Sequence, residues 1–347
     1  MGQEVQQFEN ALREYLGRPV VCVNTGTSAL HLALQAAGVG PGDEVLVQSL
    51  TFVASFQAIS ATGARAIACD VVPESLTIDL QDATRRLNPR TKAIMPVHYS
   101  GGVGELAEVY RFAKSHGLRV IEDASHAFGT SYNQQRVGSF GDIACFSFDG
   151  IKNITSGEGG VIVTADETVL QLVEDARLLG VERDTEKRFS GSRSWSFDVS
   201  HQGWRYHMSN IMAAIGIEQL RRFPELSSRR QHFAQRYQAR LAEIAEIQLL
   251  ELDYAEIVPH IFALRLLKHD RSQIQQHLLE ANIQTGFHYL PNHTLSLFRT
   301  DYPLPVTEEI FPQLLTLPLH PDLSDEQVDF VCQQLEQTLS TCPTTDH

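Results

Sequence analysis

Cysteines are few in this sequence, and long apolar runs are missing from it. The 347 residues include five cysteines and no CxxC pair, which argues against a disulfide framework and against a cysteine zinc site. Because Cys22, Cys69 and Cys145 lie in apolar runs, we expect buried free thiols in a reducing compartment. No apolar run is long enough to span a membrane, and the first residues do not have the pattern of a signal peptide. We therefore expect a cytoplasmic protein without membrane attachment.

Basic residues are also in deficit. The chain has 28 lysines and arginines against 42 aspartates and glutamates, a formal net charge of −14. Such a balance argues against general affinity for nucleic acid, so an anionic substrate would have to be bound by local cations. The length predicts two domains, and the hydrophobic content of 43% is ample for burial.

Short apolar runs alternate with amphipathic segments through the first two thirds of the chain. We predict strands at residues 20–23, 44–47, 65–69, 93–97 and 118–121, with helices between them, for example at 54–61 and 106–116. This rhythm predicts an α/β fold with a mostly parallel central sheet flanked by helices. After residue 220 the pattern predicts a long charged helix at 227–247, strands at 247–252 and 261–267, and helices at 271–281 and 324–339. We expect a large domain over residues 1–225 and a smaller α+β domain over 226–347.

Lys152 lies between two predicted buried strands, at residues 143–148 and 161–164. The loop that carries it is polar and rich in glycine. A lysine in this setting can lose its proton and attack a carbonyl carbon to form a Schiff base. For a lysine considered alone, a solvated position in the loop is the simpler interpretation.

Asp123 follows the predicted strand at 118–121. In open α/β sheets the carboxyl end of a strand is where ligands bind. A carboxylate there can pair with the protonated ring nitrogen of pyridoxal phosphate, which keeps that cofactor an acceptor of electrons. Capping of a following helix is an equally good interpretation of Asp123 taken alone.

A phosphate could bind where the strand at 20–23 turns into an amphipathic helix through Gly26. The free N–H groups of the helix N-terminus and the hydroxyls of Thr27 and Ser28 suit an anion. The segment has neither a dinucleotide fingerprint nor a P-loop, so the two commoner phosphate motifs are not indicated. A plain helix cap by Thr and Ser is the alternative.

The segment from Gly203 to Leu220 begins with a basic, aromatic loop that contains Arg205. The following helix has small residues at Ala213, Ala214 and Gly216, which allow close packing. The alternative is an ordinary core helix preceded by an exposed arginine.

Taken together and in this order, these four segments resemble the DegT/DnrJ/EryC1/StrS aminotransferases over about residues 8–331. The resemblance implies a fold-type I enzyme that uses pyridoxal 5'-phosphate, with Lys152 as the Schiff-base lysine and Asp123 paired with the ring nitrogen. It also places His126 near the ring hydroxyl and Phe52 on the ring. It assigns the cofactor phosphate to Gly26, Thr27, Ser28 and Ser147, and to Arg205 of the neighbouring subunit of a homodimer with shared active sites. Members of the family usually have asparagine at the position of Arg205, and an N-terminal segment that is short or missing here.

Histidines and tyrosines at the ends of predicted elements are candidates for substrate binding. We name His98, Tyr99, His288 and Tyr289, and we expect no metal because carboxylate and thiolate partners at ligand spacing are absent. The basic loop from Arg183 to Trp204, with Lys187, Arg188, Arg193 and Trp195, is a further candidate for contacts with substrate phosphates or a solvated surface loop.

The expected function is transamination of a nucleotide-linked keto sugar to the amino sugar, with glutamate as the amino donor. Amination of a cyclitol ketone would use the same chemistry. A non-catalytic regulator that binds pyridoxal phosphate is an alternative of a different class, although the intact Lys152 and Asp123 argue against it. A nicotinamide oxidoreductase is disfavoured because no dinucleotide fingerprint follows the first strand.

Overall fold

The computed structural model of the protein describes residues 1–181 and 198–344. Its strands are β1 (Val20–Val23), β2 (Glu44–Gln48), β3 (Arg65–Cys69), β4 (Thr91–Met95), β5 (Arg119–Asp123), β6 (Ser131–Tyr132), β7 (Gln135–Arg136), β8 (Ile143–Ser147), β9 (Gly160–Thr164), β10 (Ile247–Leu249), β11 (Phe262–Leu266) and β12 (Leu314–Leu317). Its helices are α1 (Gln3–Leu16), α2 (Gly26–Ala36), α3 (Val53–Ala61), α4 (Leu80–Arg86), α5 (Leu106–His116), α6 (Glu167–Ala176), α7 (Asn210–Leu241), α8 (Arg271–Glu280), α9 (Pro305–Ile310) and α10 (Asp325–Thr341).

Seven strands form the central sheet in the order β1-β9-β8-β5-β4-β2-β3. Neighbouring strands are parallel except for β9, which is antiparallel to both β1 and β8. Strands β1, β2, β8 and β9 are buried along their whole length, as expected for strands with both faces of the sheet covered. The predicted α/β class with a mostly parallel sheet is confirmed.

Helix α7 differs from the prediction. A separate helix was expected at 227–247, but one helix of 32 residues runs from Asn210 to Leu241 and contains Pro224. Its first half packs on α1, where a Cβ on Gly216 would lie 2.6 Å from the ring of Phe8. Its second half packs on the C-terminal part of the chain through Phe233 and other residues. This packing on both sides compensates for the backbone hydrogen bond that a proline within a helix removes.

A smaller antiparallel sheet of β10, β11 and β12 follows α7. Helices α8 and α10 cover it, and buried side chains from all of these elements form one apolar cluster. Strand β10 begins at residue 247 as predicted, but the helix before it ends earlier than predicted, at Leu241. All five cysteines are buried free thiols, as expected for the three in apolar runs. No helix in the described part of the chain has the length and apolar character to cross a membrane.

Candidate active site

The predicted site segments meet at the carboxyl end of the central sheet, where ligands bind in folds of this class. A cavity of about 280 Å³ opens there. Ten of the predicted residues, from six separate stretches of chain, are among those that line it: Gly26, Thr27, Phe52, Tyr99, Asp123, His126, Ser147, Lys152, His288 and Tyr289.

Lys152 extends into this cavity from the loop between β8 and β9. The loop is held by Asn153, whose side-chain amide donates to the carbonyls of Phe128 at 3.1 Å and Val258 at 3.0 Å. Burial lowers the pKa of the Lys152 amine from 10.5 to about 8, although the nearby carboxylates of Asp123 and Asp149 act in the opposite direction. A freely solvated lysine would keep its ordinary pKa, so this amine has the properties of a nucleophile and proton carrier.

Asp123 ends β5 and presents a buried carboxylate to the cavity. Ser55 donates to one of its oxygens at 2.7 Å, and Ser125 donates to the other through its hydroxyl at 2.6 Å and its backbone N–H at 3.2 Å. Residues 124–130, all described, contain turns and no helix, so the carboxylate is not a helix cap. It is instead held in one orientation, ready to meet a cationic group of a ligand.

The turn before α2 brings a helix N-terminus against β8. A Cβ on Gly26 would lie 2.7 Å from that of Ser147, so only glycine allows this close approach. Gly26, Thr27 and Ser147 line the cavity, whereas Ser28 does not. The hydroxyl of Ser28 donates to Asn24 at 2.7 Å and its backbone N–H donates to the helix cap Thr25 at 3.0 Å. Both donors of Ser28 are used within the cap in this structure, and its contact with a phosphate stays a prediction.

His126 and three aromatic residues also line the cavity. The hydroxyl of Tyr289 lies 2.9 Å from Nε2 of His126, and the hydroxyl of Tyr99 donates to the backbone carbonyl of His288. Burial, together with the charge of Lys152, lowers the pKa of His288 to about 4. The ring of Phe52 is 55% exposed at the rim, where it can cover a planar ligand.

His98 does not line the cavity, which corrects the expectation that it contacts substrate. Its ring is fully buried, with Nε2 2.7 Å from a carboxylate oxygen of Glu122. Successive residues of a strand point to opposite faces of a sheet. Because Asp123 faces the cavity, Glu122 and the histidine paired with it lie on the other face.

Arg205 is exposed and does not line the cavity of its own chain. Its backbone pairs with Leu178 in an isolated bridge. The candidate basic loop residues Lys187, Arg188, Arg193 and Trp195 lie outside the described residues.

His260 is a site residue that the sequence did not indicate. Its Nε2 lies 3.5 Å from Nζ of Lys152, and its ring centroid lies 4.4 Å from that of His126. It comes just before β11, in an apolar stretch whose sequence gives no sign that its histidine belongs to a site. Only the fold shows that this stretch contacts Lys152. Among the described residues, no group of histidines, cysteines and carboxylates has the arrangement of a metal site.

The geometry can be compared with proteins of known family. A family model described as the DegT/DnrJ/EryC1/StrS aminotransferase family matches residues 1–336. The chain belongs to this family. It is 34% identical to the spore coat polysaccharide biosynthesis protein SpsC of Bacillus subtilis, over 96% of this chain and 88% of that protein. It is also 34% identical to the dTDP-4-dehydro-2,3,6-trideoxy-D-glucose 4-aminotransferase of Saccharopolyspora spinosa, over 98% and 90% of the two chains.

Solved structures agree with this assignment. The aminotransferase TlmJ from Streptoalloteichus hindustanus superposes with a TM-score of 0.90 at 31% identity, covering 98% of this chain and 91% of that one. The protein is thus a fold-type I aminotransferase that depends on pyridoxal 5'-phosphate, as the resemblance implied. The site fits this cofactor chemically, because it combines an amine of lowered pKa, a buried carboxylate and a helix N-terminus around one cavity.

Proposed function

We propose that this enzyme transfers the amino group of glutamate to a keto sugar carried on a nucleoside diphosphate. The observation that carries the proposal is the Lys152 amine, with a pKa of about 8, in the same cavity as the buried carboxylate of Asp123. The relative from Saccharopolyspora spinosa, by its name, acts on a dTDP-linked keto sugar, which supports the substrate class.

Each role in the reaction can be assigned to a residue of the chain. When bound, pyridoxal phosphate supplies the carbonyl carbon that receives the amino group and a ring that accepts electrons. Lys152 would anchor it and, once free, would carry a proton from the α-carbon of the amino donor to the cofactor carbon that receives the amino group. In the second half of the reaction it would carry a proton from that carbon to the sugar carbon that is aminated. A pKa near working pH suits both directions of this transfer. Asp123 pairs with the ring nitrogen, Gly26, Thr27 and Ser147 hold the phosphate, and Phe52 covers the ring.

The histidines and tyrosines that line the cavity are the residues that would recognise substrate. Tyr289 and His126 present a hydroxyl and an imidazole that share a hydrogen bond, and Tyr99 holds the backbone at His288. In this proposal His126 lies near the ring hydroxyl, while Tyr99, His288 and Tyr289 orient the sugar. A cyclitol ketone could use the same groups, so the carrier nucleotide has to be tested directly.

The decisive test uses the purified enzyme loaded with pyridoxal phosphate. We expect glutamate to bleach the absorbance of the lysine-linked cofactor, and a nucleotide-linked keto sugar to restore it as the amino sugar forms, identified by NMR. Omission of glutamate is the control. A non-catalytic regulator would not be bleached. Bleaching by glutamate followed by restoration with a cyclitol ketone alone would contradict the nucleotide-sugar assignment.

We also propose that the enzyme is a homodimer in which Arg205 reaches the partner's site. Large apolar side chains that follow it in the sequence are exposed, with Ile211 77% and Ile215 43% exposed at the start of α7. Such a patch supports burial against another chain. A guanidinium that is exposed and outside its own cavity is available for a phosphate across that interface. We propose in addition that the chain consists of two domains that meet near residue 225. We also propose a cytoplasmic location, because buried free thiols suit a reducing compartment.

We expect Arg205→Ala to weaken retention of the cofactor roughly ten- to hundredfold, the equivalent of one charge-assisted contact. Dialysis followed by absorbance measures the loss, and thermal unfolding should change much less. Arg221→Ala is the matched control, since Arg221 is an exposed arginine of α7 paired with Glu218.

Mixed dimers locate the site that Arg205 serves. An Arg205→Ala chain that is inactive at limiting cofactor is exchanged with an inactive Lys152→Ala chain. One site of each mixed dimer then carries both defects and the other carries neither, so part of the activity should return. If activity does not return although mass spectrometry shows exchange, Arg205 serves the site of its own chain or none.

A further inference from the structure

His260 is buried, yet no role in the reaction has been assigned to it. Its side chain is 4% exposed, and it lies behind Lys152 on the loop that leads into β11. The distance of 3.5 Å between Nε2 and the lysine Nζ is at the limit of a hydrogen bond. The two groups are 108 residues apart in sequence, so the contact is made by the tertiary fold.

The backbone of His260 is attached to two other parts of the molecule. Its N–H donates to the carbonyl of Ser100 at 3.3 Å, and its carbonyl accepts from the buried guanidinium of Arg230 at 3.1 Å. The same guanidinium nitrogen also donates to the carbonyls of Pro259 and Leu319. A Cβ on Gly101 would lie 2.9 Å from the carbonyl of Val258, so the loop approaches residue 101 as closely as only glycine allows. These contacts of the backbone hold the imidazole of His260 beside Lys152.

The surroundings favour a neutral imidazole. The rings of His126 and His288 lie near it, and so do the amine of Lys152 and the guanidinium of Arg230, whose positive charges oppose a further cation. Burial acts in the same direction and lowers the pKa of His260 well below its usual value. The carboxylates of Asp123 and Asp149 act on the lysine and favour its charged form.

We propose that His260 is a positioning residue for Lys152. The unprotonated Nε2 of the imidazole accepts a hydrogen bond from the ammonium group of Lys152 and holds the amine towards the cavity. An ammonium group has three donors and no acceptor, so an imidazole can bind it only through an unprotonated ring nitrogen. The ring nitrogen that faces Lys152 is Nε2. This hydrogen bond is stronger when the amine is charged, so loss of the acceptor costs the ammonium form more than the neutral amine, and the pKa of Lys152 should then fall. The hydrogen bond and its effect on the pKa of Lys152 do not depend on the proposed function; only the catalytic use of the amine does.

The pKa of Lys152 can be measured without any reaction of the cofactor. Full-length protein freed of cofactor is acetylated by a trace of acetic anhydride between pH 6 and 11, and mass spectrometry follows Lys152 against the exposed Lys114. For His260→Phe, which keeps the volume and removes the acceptor, we expect the midpoint of Lys152 to fall by about one pH unit, the effect of one hydrogen bond to a charged group. For His260→Gln, whose amide oxygen replaces Nε2, the midpoint should stay within the error of the wild type.

A control variant and two contradicting outcomes make the result decisive. His269 is equally buried in the C-terminal part of the chain, and His269→Gln should leave the midpoint unchanged. An unchanged midpoint in His260→Phe, or the same fall in His260→Gln and His260→Phe, would overturn the proposal. If His260→Phe does not fold, ¹⁵N NMR of the unsubstituted protein decides, since the proposal requires an unprotonated Nε2 throughout pH 6–9. A proton on that nitrogen would also overturn it.

Discussion

Replacement of Lys152 by alanine is expected to abolish transamination and the absorbance of the lysine-linked cofactor. Among the described residues that line the cavity, Lys152 is the only lysine, and its amine serves both as the anchor of the cofactor and as the proton carrier. A loss of roughly four orders of magnitude or more in kcat is expected, comparable with the loss of a catalytic base or nucleophile in other enzymes. Stopped-flow absorbance and product assays measure the two effects separately.

Folding should survive this change. The folded-state pKa of Lys152, about 8, lies below the ordinary 10.5, so the unfolded chain binds this proton more tightly. This difference destabilises the folded protein below pH 8, and the destabilisation disappears as pH rises towards 10.5. The cofactor-free Lys152→Ala protein should therefore be at least as stable as the wild type at pH 7 in thermal unfolding. Lys114→Ala, at an exposed position, is the control for activity, and unchanged turnover in Lys152→Ala would contradict the assignment.

Replacement of Asp123 by asparagine is expected to leave the cofactor bound. We expect it to raise the free-energy barrier of proton transfer by several kcal/mol, which slows this step about a thousandfold or more. Asparagine keeps the size of the side chain but replaces a negative charge by a neutral amide. One of the donors from Ser55 and Ser125 would then face an N–H₂ group instead of an oxygen. Rapid mixing with glutamate, followed at the cofactor absorbance, measures the step.

The control for Asp123→Asn is a carboxylate that caps a helix. Asp79 accepts a hydrogen bond from the backbone N–H of Gln81 at the start of α4, and asparagine caps about as well as aspartate. Asp79→Asn should therefore have normal kinetics. Normal transamination by Asp123→Asn would show that the carboxylate charge is not used.

Much of the large sheet could be predicted because its strands are short apolar runs separated by turns. The bounds of β1 and β3 agree with the prediction, and the others differ by a few residues at their ends. The error at α7 has a physical cause. Pro224 disfavours a helix locally, but packing on two apolar clusters stabilises one across it.

The candidate site was predictable wherever a residue belongs to a local pattern. Lys152, Asp123 and Gly26 each lie at the end of a predicted strand, and the fold brings them to one cavity. Contacts between distant segments leave no such pattern, which is why His260 and Ser55 were not predicted. His98 was predicted to contact substrate because it follows a strand. The sequence alone does not tell on which face of the sheet the side chain of such a residue lies.

The continuity of α7 has a consequence for how the protein unfolds. Its Ala213 and Phe223 belong to the apolar cluster of the large sheet, and its Phe233 and Tyr237 belong to that of the small one. Neither cluster can be exposed to water without removing support from a helix that the other also needs. The two parts of the chain should therefore lose their structure in one cooperative transition. A fragment of the chain that ends within α7 would contain part of this helix but would lack half of the packing that stabilises it.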